Sequence, residues 1–380
     1  MRRALELAAR AVGATGTNPC VGCVIVGADG DLIAEGFHQR FGGPHAEAAA
    51  LAKVPAGADL SRATLYVTLE PCSHQGKTPP CADAVVAAGV GRVVAAIADP
   101  NPQVAGRGLD RLRAAGIDVE IGDGAAEATL LAAPFLKRLA TGRPYVIAKY
   151  AMTLDGRVAS RTGASKWITG PVARAEVHRL RGTCEAIVAG IGTVLADDPL
   201  LTARPPGPAA CARYVIDPDG RTPADSQLVR TAVDDPVTLL VREGTTRLPQ
   251  PGVQLVPIAP SADGSLPVGA ILDQLAARSV SRVFVEGGSR VLGRFFDAGE
   301  IDEVHAFIAP KLVGGADAIG PIGGHGRDVM PATGELLGVR VRHWGDDLSV
   351  SGVVAKPWLG GTVNSERWLR TWFAFVRHTN

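Results

Sequence analysis

His45-Ala46-Glu47, followed by Pro71-Cys72 and then by Cys81, is the stretch of sequence that decides the fold of the first half of this chain. One imidazole and two thiolates are ligands that Zn²⁺ prefers, and three protein ligands leave a fourth tetrahedral position for water. Glu47 is not needed as a ligand, so its carboxylate is free to accept and return protons. The pattern therefore predicts a catalytic zinc site, with His45, Cys72 and Cys81 as ligands and Glu47 as proton shuttle.

This set of residues is typical of hydrolytic deaminases that act on nucleobase-like rings, in which the metal activates water and the glutamate moves protons. The predicted reaction is the loss of ammonia from an amino-heterocycle. Taken alone, His45 could be a surface histidine and either cysteine a core residue. The joint pattern favours the metal site, because each half follows a predicted strand and enters a predicted helix.

Composition and charge argue against several other classes of function. The 380 residues suggest two or three domains, and 46% apolar with 20% charged residues is typical of a globular protein. A net charge of +1 gives no field that attracts nucleic acid or an acidic membrane, and 5% aromatic residues offer no platform for base stacking. No apolar run is long enough to span a bilayer. We therefore expect no nucleic-acid partner and no membrane partner.

The cysteines indicate a reducing compartment. Six in a chain of this length are too sparse for a disulfide framework, and two belong to the metal pattern, so we expect a cytoplasmic protein. Cys20 and Cys23 form a C-x-x-C that could be a redox pair or half of a zinc knuckle, but the apolar strand around Cys23 favours a structural role. Residues 1–10 start with basic residues as a signal peptide does, yet Glu6 and Arg10 favour an amphipathic helix.

Strands and helices alternate in both halves, which predicts an α/β architecture with helices packed on the faces of each sheet. The first half is predicted to contain strands 21–26, 32–37, 63–69, 93–97 and 117–121 and helices 45–51, 81–88 and 109–115. The second half is predicted to contain strands 145–150, 186–189, 213–216, 237–241 and 283–286 and helices 172–181 and 291–298. We interpret residues 134–144 as a basic connection with glycine and proline. This interpretation predicts domains 1–142 and 143–355 and a tail, 356–380.

The eight residues between Cys72 and Cys81 exceed the two of the general deaminase signature. The segment Pro71-Cys72-Ser73-His74-Gln75-Gly76-Lys77-Thr78-Pro79-Pro80-Cys81 resembles the deaminase half of the bifunctional riboflavin-biosynthesis deaminase/reductases. Thr17-Asn18-Pro19, Val21-Gly22-Cys23-Val24 and Asp99-Pro100-Asn101-Pro102-Gln103-Val104-Ala105-Gly106-Arg107-Gly108 match the same family. The resemblance implies a cytidine-deaminase-like, three-layer N-terminal domain.

The same resemblance implies a phosphoribosyl pyrimidine substrate, 2,5-diamino-6-ribosylamino-4(3H)-pyrimidinone 5′-phosphate, deaminated at ring carbon 2. It carries over the zinc ligands and the proton shuttle named above. The candidates for holding the base and the ribose phosphate are Asn18, His74, Lys77 and Asn101. Lys77 has the charge that a phosphate needs, although a single loop lysine is equally well explained as a solvated residue.

In the second half, two glycine-rich turns could receive a phosphate, Gly190-Ile191-Gly192-Thr193 and Gly287-Gly288-Ser289. The second turn leaves a predicted strand and enters a predicted helix, whose N–H groups and dipole suit a pyrophosphate. Neither turn matches G-x-G-x-x-G with its later acidic residue, so a Rossmann fold is not indicated. Strand-to-helix turns need glycine in any case, and the turns alone leave nucleotide binding open.

Five segments of the second half resemble the reductase half of the same bifunctional enzymes: Ala148-Lys149, Thr153-Leu154-Asp155-Gly156, Ser165-Lys166-Trp167-Ile168-Thr169, Gly192-Thr193-Val194-Leu195-Ala196-Asp197-Asp198-Pro199 and Val285-Glu286-Gly287-Gly288. The resemblance implies a dihydrofolate-reductase-like C-terminal domain. It also implies that NADPH reduces the ribosyl group of the deaminated product, giving 5-amino-6-ribitylaminouracil 5′-phosphate. NADPH carries the hydride, and the protein supplies orientation.

By matching position, this resemblance also implies the contacts of both ligands. NADPH contacts are expected at Ala151, Trp167, Thr193, Asp197, Gly288, Ser289, Arg290, Val291, Leu292, Gly293 and Arg294. Substrate contacts are expected at Ser165, Arg181, Leu201, Arg204 and Glu286, and the two arginines suit a phosphate. Taken singly, Arg181 could be a solvated cation at a helix end and Trp167 an ordinary core residue.

Two other interpretations compete with the bifunctional riboflavin enzyme. The zinc motif permits a nucleic-acid deaminase with an added domain, but the balanced charge and the long spacer disfavour it. A zinc-stabilised nucleotide sensor without turnover would have no use for Glu47.

We expect a homo-oligomer, either a dimer or a tetramer. The tail holds three of the five tryptophans and could be an amphipathic helix for a partner or membrane, or an extension packed on this chain or a neighbouring subunit.

Overall fold

The computed structural model describes residues 1–74, 79–101, 105–246, 250–331 and 336–359. Over this range the chain forms two compact units. Unit 1 consists of Met1–Thr141 together with Pro357–Leu359, and unit 2 is Gly142–Lys356. Among the described residues, no helix has the length and apolar character needed to cross a membrane.

Unit 1 is built on a five-stranded mixed sheet with the strand order β2-β1-β3-β4-β5. β1 pairs antiparallel with β2 and β3, whereas β3, β4 and β5 run parallel. The strands are β1 (Gly22–Val26), β2 (Leu32–Phe37), β3 (Thr64–Val67), β4 (Arg92–Ala95) and β5 (Asp118–Ile121). The parallel strands place the loops that follow β3 and β4 at the same edge of the sheet.

Helices cover both faces of this sheet and give unit 1 three layers. They are α1 (Arg2–Ala9), α2 (Ala46–Leu51), α3 (Cys81–Ala87), α4 (Arg107–Ala114) and α5 (Ala125–Thr141). Alternate residues of β1 point to opposite faces: Ile25 belongs to the core that includes residues of α2, α3 and α4, while Val24 packs with α1. α5 contacts α1, and the 3₁₀ helix Pro357–Leu359 contacts α5.

Two glycines set the distance between helices and sheet in unit 1. A Cβ atom on Gly22 would lie 1.9 Å from the Ala4 carbonyl oxygen of α1. A Cβ atom on Gly36 would lie 2.4 Å from the Ala50 backbone nitrogen of α2. Because real Cβ atoms do not approach other atoms so closely, both helices pack directly against bare strand backbone.

Unit 2 is built on a nine-stranded sheet with the order β10-β9-β8-β7-β11-β6-β12-β14-β13. All neighbours are parallel except β14, which runs antiparallel to β12 and β13. The strands are β6 (Tyr145–Thr153), β7 (Ala186–Gly190), β8 (Ala212–Ile216), β9 (Val237–Arg242), β10 (Val253–Ile258), β11 (Arg282–Val285), β12 (Glu303–Ala309), β13 (Leu336–Trp344) and β14 (Asp347–Val354).

The helices of unit 2 are α6 (Pro171–Arg181), α7 (Ile191–Asp197), α8 (Gln227–Arg230), α9 (Val268–Ala277) and α10 (Ser289–Asp297). α7 directly follows β7, and α10 follows β11 after a short glycine turn. The carboxyl ends of parallel strands in an open sheet are where ligands bind. We therefore expect the ligand site of unit 2 at the edge formed by the carboxyl ends of β7, β8, β9 and β11.

The predicted alternation of strands and helices is confirmed in both halves, with three differences. Residues 134–141 belong to α5 rather than to a connection, and Lys137 is buried on that helix. β10, β12, β13 and β14 have no counterpart among the predicted strands, and α5, α8 and α9 have none among the predicted helices; the predicted turn at Ile191 opens α7. Apart from Lys356–Leu359, the predicted tail lies outside the described residues.

Candidate metal centre and nucleotide cavity

The predicted zinc ligands meet in unit 1. His45 is the N-cap residue of α2, Cys72 lies in the loop after β3, and Cys81 is the first residue of α3. Their three ligand atoms all lie within 4.8 Å of one another. The Nδ1 atom of His45 is 3.3 Å from the Cys81 sulfur and 3.6 Å from the Cys72 sulfur. Two sulfurs and one imidazole nitrogen at this spacing fit a tetrahedral zinc ion with one open position.

The protonation of the two thiols supports the same conclusion. A hydrogen bond from the Cys81 thiol lowers the pKa of Cys72 to about 4, and sharing that bond with Cys72 raises the pKa of Cys81. The Cys72 sulfur also accepts the Cys81 backbone N–H at 3.3 Å. The lowered pKa favours a thiolate at Cys72, and a zinc ion held by this pair would favour the thiolate form of both cysteines, because a coordinating thiol is deprotonated.

Glu47 lies in the first turn of α2, two residues after His45, and is only 3% exposed. Burial raises the pKa of the Glu47 carboxyl to about 7. A carboxyl group with a pKa in this range gains and loses a proton near neutral pH, which is what a general acid and base requires. The local fold therefore places a proton-transfer group beside the three ligands.

His38 is a neighbour of the metal centre that the sequence analysis missed. It follows β2, is 3% exposed, and its ring meets the His45 ring edge-on with 5.6 Å between centroids. Its Nδ1 donates to the Pro44 carbonyl at 2.9 Å, and its Nε2 accepts from the Asn18 amide at 3.1 Å. The sequence feature that could have indicated His38 is its position directly after the predicted strand 32–37. The contact brings the candidate Asn18 to the edge of the metal centre.

The other deaminase candidates have different environments. His74 is exposed, and Asn101 is half-buried on the loop after β4. The Asn101 backbone N–H donates to Asp99 at 2.9 Å. Lys77 lies outside the described residues.

Glu70, which also escaped the sequence analysis, fixes the loop that carries Asn101. Its buried carboxylate accepts backbone N–H groups of Asp99 at 3.0 Å, Gly106 at 3.0 Å and Gly108 at 2.8 Å. Gly106 is the N-cap residue of α4, so Glu70 satisfies N–H groups that a helix start leaves unpaired. Since Glu70 precedes Pro71-Cys72, one carboxylate joins the metal-binding loop to the loop after β4.

We expect Glu70→Ala to destabilise unit 1 by about 3 kcal/mol or more, because three backbone N–H groups lose their bond to a buried carboxylate. Hydrogen exchange at the Gly106 and Gly108 amides should accelerate, and urea should unfold unit 1 at lower concentration. Glu120→Ala is the matched control, since Glu120 forms an exposed ion pair with Arg92 that contributes little. Equal stability of the two variants would contradict the role of Glu70.

Unit 2 contains a cavity of about 880 Å³ at the carboxyl ends of β7, β8, β9 and β11. Eight of the predicted reductase residues line it: Ser165, Thr193, Asp197, Gly288, Ser289, Arg290, Val291 and Arg294. Both predicted glycine turns are part of its wall, and the second one opens α10. The size and the phosphate-binding turns fit a dinucleotide cofactor.

Four predicted cofactor residues do not line this cavity. Leu292 is 1% exposed in the core of unit 2, and Gly293 packs against the Gly323 backbone. Ala151 lies on β6 and is half-buried. Trp167 is 65% exposed, with the Arg174 guanidinium 4.6 Å from its ring centroid, so it is not a core residue.

Two of the predicted substrate residues, Arg181 and Glu286, form a charged cluster with Lys149, and Glu286 follows β11. The Glu286 carboxylate pairs with the Arg181 guanidinium, whose Nη2 lies 3.0 Å from Oε2, and with the Lys149 ammonium at 3.4 Å. Burial alone would raise the pKa of Glu286, but the Arg181 and Lys149 charges outweigh it and hold the pKa at about 2. Glu286 is therefore ionised at any physiological pH.

Arg204 and Leu201 lie on the loop next to this cluster. Both Arg181 and Arg204 donate to Thr202, Arg181 to its carbonyl at 3.0 Å and Arg204 to its hydroxyl at 3.2 Å. Leu201 is 2% exposed with φ of +52°. The sequence did not indicate a role for Arg213. Its buried guanidinium donates a hydrogen bond to the Leu200 carbonyl and so fixes the start of this loop.

The far wall of the cavity was also missed. It consists of Arg221, Arg242, Asp219, Asp263 and neighbouring residues from the loops after β8, β9 and β10. These loops carry no motif, and only the parallel order of the strands brings them together.

Family models match both halves of the chain. One described as the RibD C-terminal domain matches residues 144–347, and one described as the cytidine and deoxycytidylate deaminase zinc-binding region matches residues 1–97. These matches confirm the predicted pairing of a cytidine-deaminase-like unit with a reductase unit.

Whole-chain relatives agree. The chain is 41% identical to the riboflavin biosynthesis protein RibD of Actinobacillus pleuropneumoniae over 94% of this chain and 95% of the relative. It is 42% identical to RibD of Escherichia coli strain K12 over 92% and 96% of the two chains.

Solved structures extend the comparison. The chain is similar to a Thermotoga maritima diaminohydroxyphosphoribosylaminopyrimidine deaminase/5-amino-6-(5-phosphoribosylamino)uracil reductase, with a TM-score of 0.81, 37% identity and 93% and 97% coverage. The chain is also similar to the solved structure of Acinetobacter baumannii RibD, with a TM-score of 0.76 and 38% identity. The match covers 93% of this chain and 98% of the Acinetobacter baumannii chain. This chain therefore belongs to the RibD family of bifunctional riboflavin-biosynthesis enzymes, with a zinc-dependent deaminase unit and an NADPH-dependent reductase unit.

Proposed function

We propose that unit 1 deaminates 2,5-diamino-6-ribosylamino-4(3H)-pyrimidinone 5′-phosphate and that unit 2 reduces the ribosyl group of the product to a ribityl chain. The observation that carries this proposal is the convergence of His45, Cys72 and Cys81 beside the buried Glu47. The substrates are those in the name of the similar Thermotoga maritima enzyme. The two reactions are consecutive, because the product of the first is the substrate of the second.

In the deaminase step, His45, Cys72 and Cys81 hold the zinc ion. Bound zinc supplies the Lewis acidity that makes water nucleophilic near neutral pH. Glu47 takes one proton from the attacking water and delivers it to the ring nitrogen, and it then takes the second proton from the newly bound hydroxyl group and delivers it to the departing amine. Its burial favours this role, because proton transfer is efficient when the pKa of the shuttle is close to the working pH.

The remaining deaminase candidates orient the substrate. The side-chain amide of Asn18 donates one hydrogen bond to His38. The side-chain carbonyl oxygen of Asn18 is proposed to accept a hydrogen bond from the pyrimidine ring or from its amino group. Asn101, held on the loop that Glu70 fixes, and the exposed His74 are proposed to contact the ribose phosphate. Lys77, outside the described residues, is proposed for the phosphate on its charge alone.

In the reductase step, the residues along the cavity hold NADPH, with its pyrophosphate at Gly288, Ser289 and the start of α10. NADPH supplies the hydride that reduces the opened sugar. Trp167 and Ala151 are proposed as nicotinamide contacts beside the cavity, and Leu292 and Gly293 as residues that fix α10. Thr193, Asp197, Arg290, Val291 and Arg294 complete the proposed cofactor set.

Substrate binding in unit 2 is proposed to use Ser165, Leu201 and the charged cluster. Glu286 is ionised and accepts from sugar hydroxyls. Arg181 is occupied by Glu286 and Thr202, so Arg204, which is exposed, has more donors for the substrate phosphate. The deaminase phosphate site and this one would each bind the same 5′-phosphate in turn.

We also propose a cytoplasmic homo-oligomer, a dimer or a tetramer. The free cysteines, two of them in the metal centre, support a reducing compartment.

Zinc removal separates the two reactions and tests the proposal. With the full chain and the diaminopyrimidine nucleotide, chelation should abolish ammonia release, and added Zn²⁺ should restore it. Oxidation of NADPH on separately prepared deaminated product should remain within about twofold, because the three zinc ligands lie in unit 1 and NADPH itself carries the hydride. Absence of ammonia release from the zinc-loaded chain, or of NADPH oxidation on the deaminated product, would refute the proposed pair of reactions.

A further inference from the structure

One end of the cavity in unit 2 is lined by four charged side chains that have no part in hydride transfer. Asp219 follows β8, Arg242 ends β9, Asp263 lies after β10, and Arg294 lies on α10. Asp219 pairs with Arg242, and the Asp263 carboxylate lies 3.6 Å from the Arg294 guanidinium. Four separate elements thus bring two guanidinium groups to one end of the cavity.

Both guanidinium groups face the same short turn, residues 263–265. A Cβ atom on Gly264, whose φ is +76°, would lie 3.2 Å from Nη1 of Arg242. On the other side of the turn, the backbone N–H and the hydroxyl of Ser265 donate to Oδ1 of Asp263 at 3.0 and 2.7 Å. The other carboxylate oxygen of Asp263, Oδ2, pairs with the Arg294 guanidinium. Because the turn spans only three residues, the two guanidinium groups converge on one small volume.

The carboxylates here are replaceable partners. The side chains of both ion pairs are between 38% and 64% exposed. Ion pairs this exposed contribute little to stability, so another anion can displace the carboxylates at small cost. Arginine binds phosphate oxygens in bidentate fashion, and a phosphate dianion attracts two guanidinium groups more strongly than either carboxylate does. The arrangement suits a phosphate group that reaches this end of the cavity.

The end of the cavity at Arg242 lies several strands away from Glu286, next to which the substrate is proposed to react. Glu286 follows β11, and β11, β7, β8 and β9 are successive neighbours. At about 4.8 Å per strand, the end of β9 lies about 14 Å from the end of β11. With the pyrophosphate at Gly288, at the start of α10, the adenosine of a dinucleotide that extends across the strand ends reaches toward Arg242.

We propose that Arg242 and Arg294 bind the 2′-phosphate of the adenosine of NADPH and make unit 2 select NADPH over NADH. The inference rests on NADPH as the cofactor of this unit. The third guanidinium of this wall, Arg221, lines the cavity but forms no contact with the turn among the described residues. Arg242 and Arg294 are therefore specificity-determining residues rather than catalytic ones.

Calorimetric titration of the full zinc-loaded chain tests this assignment by binding alone. The ligands are NADPH, NADH, 2′,5′-ADP and 5′-ADP, and the variants are Arg242→Leu, Arg294→Leu and their combination. Each single change should raise the Kd of NADPH and of 2′,5′-ADP about 10- to 100-fold, the range for losing one charge-assisted contact. The Kd values of NADH and 5′-ADP should stay within about twofold. Arg278→Leu, an exposed arginine away from the cavity, should change none of them.

The outcomes separate the alternatives. Equal weakening of NADPH and NADH would assign the two arginines to the pyrophosphate and overturn the proposal, as would an unchanged Kd for NADPH. Arg242→Lys should retain part of the preference for NADPH, because the charge remains while the bidentate geometry is lost. Unchanged NADH binding in each variant shows that unit 2 is folded. Failure of the unaltered chain to bind NADPH would instead overturn the cofactor assignment itself, and this proposal with it.

Discussion

Glu47→Gln should lower the rate of ammonia release by about 10²- to 10⁴-fold while zinc stays bound and the reductase remains active. The change keeps the size of the side chain and removes only its ability to accept a proton, and general acid–base catalysis contributes a factor in this range. Zinc binding should persist, because the three ligand atoms belong to His45, Cys72 and Cys81. Zinc content by atomic absorption and an ammonia assay on the same sample measure both quantities.

NADPH oxidation on the deaminated product is the internal control, since Glu47 lies in unit 1 and the cofactor cavity in unit 2. Glu120→Gln, on the exposed strand β5, is the matched substitution and should leave both activities intact. Deamination by Glu47→Gln at more than about a tenth of the original rate would show that another group moves the proton.

Glu286→Gln should destabilise unit 2 by about 3–5 kcal/mol and abolish reduction, because Arg181 and Lys149 lose the charge that compensates them. All three side chains are largely buried, with exposures of 10%, 13% and 16% for Glu286, Arg181 and Lys149. Breaking a buried pair costs more than the pair contributes, since the remaining charges stay desolvated. The calorimetric unfolding transition that NADPH shifts reports on this unit.

The pH dependence of this effect has a definite sign. The folded-state pKa of Glu286, about 2, lies below its ordinary value of 4.5, so its stabilisation is complete above about pH 5 and disappears as the pH falls toward 2. The difference in stability between the original chain and Glu286→Gln should shrink over that range. Asp273→Asn is the control, because Asp273 pairs with Arg143 at an exposed position and should cost less than about 1 kcal/mol. A difference that is constant from pH 7 to pH 3 would contradict the assigned ionisation.

The metal centre was predictable because its information is local. His45 and Cys81 stand at helix starts, where a single turn sets the direction of the side chain, and Glu47 follows His45 within the same turn. The long spacer between the cysteines could be read directly from the sequence. Glu70 and His38 were missed because their roles depend on partners 29 to 38 residues away or on burial, as the contacts of Glu70 with Asp99 and Gly108 show.

The alternation of elements was likewise predictable, but tertiary packing changed one boundary region. Pro134 and the basic residues near it suggested a connection, whereas α5 continues through them to Thr141. The buried residues Ala128, Ala132, Ala133 and Leu136 form its apolar face, and their packing outweighs the hydrogen bond that proline removes. In unit 2 the far wall of the cavity had no motif, because strand order alone assembles it.

Gly36 shows that the geometry of the metal centre is also encoded in a position without a side chain. α2 lies against β2 at a depth that any Cβ atom on Gly36 would prevent, and α2 carries Glu47 and is preceded by His45. An alanine scan limited to the side chains around the metal would leave this residue out, although a single methyl group there displaces a ligand and the proton shuttle together. For the redesign of this scaffold, Gly36 therefore belongs with the metal ligands among the positions to be held constant.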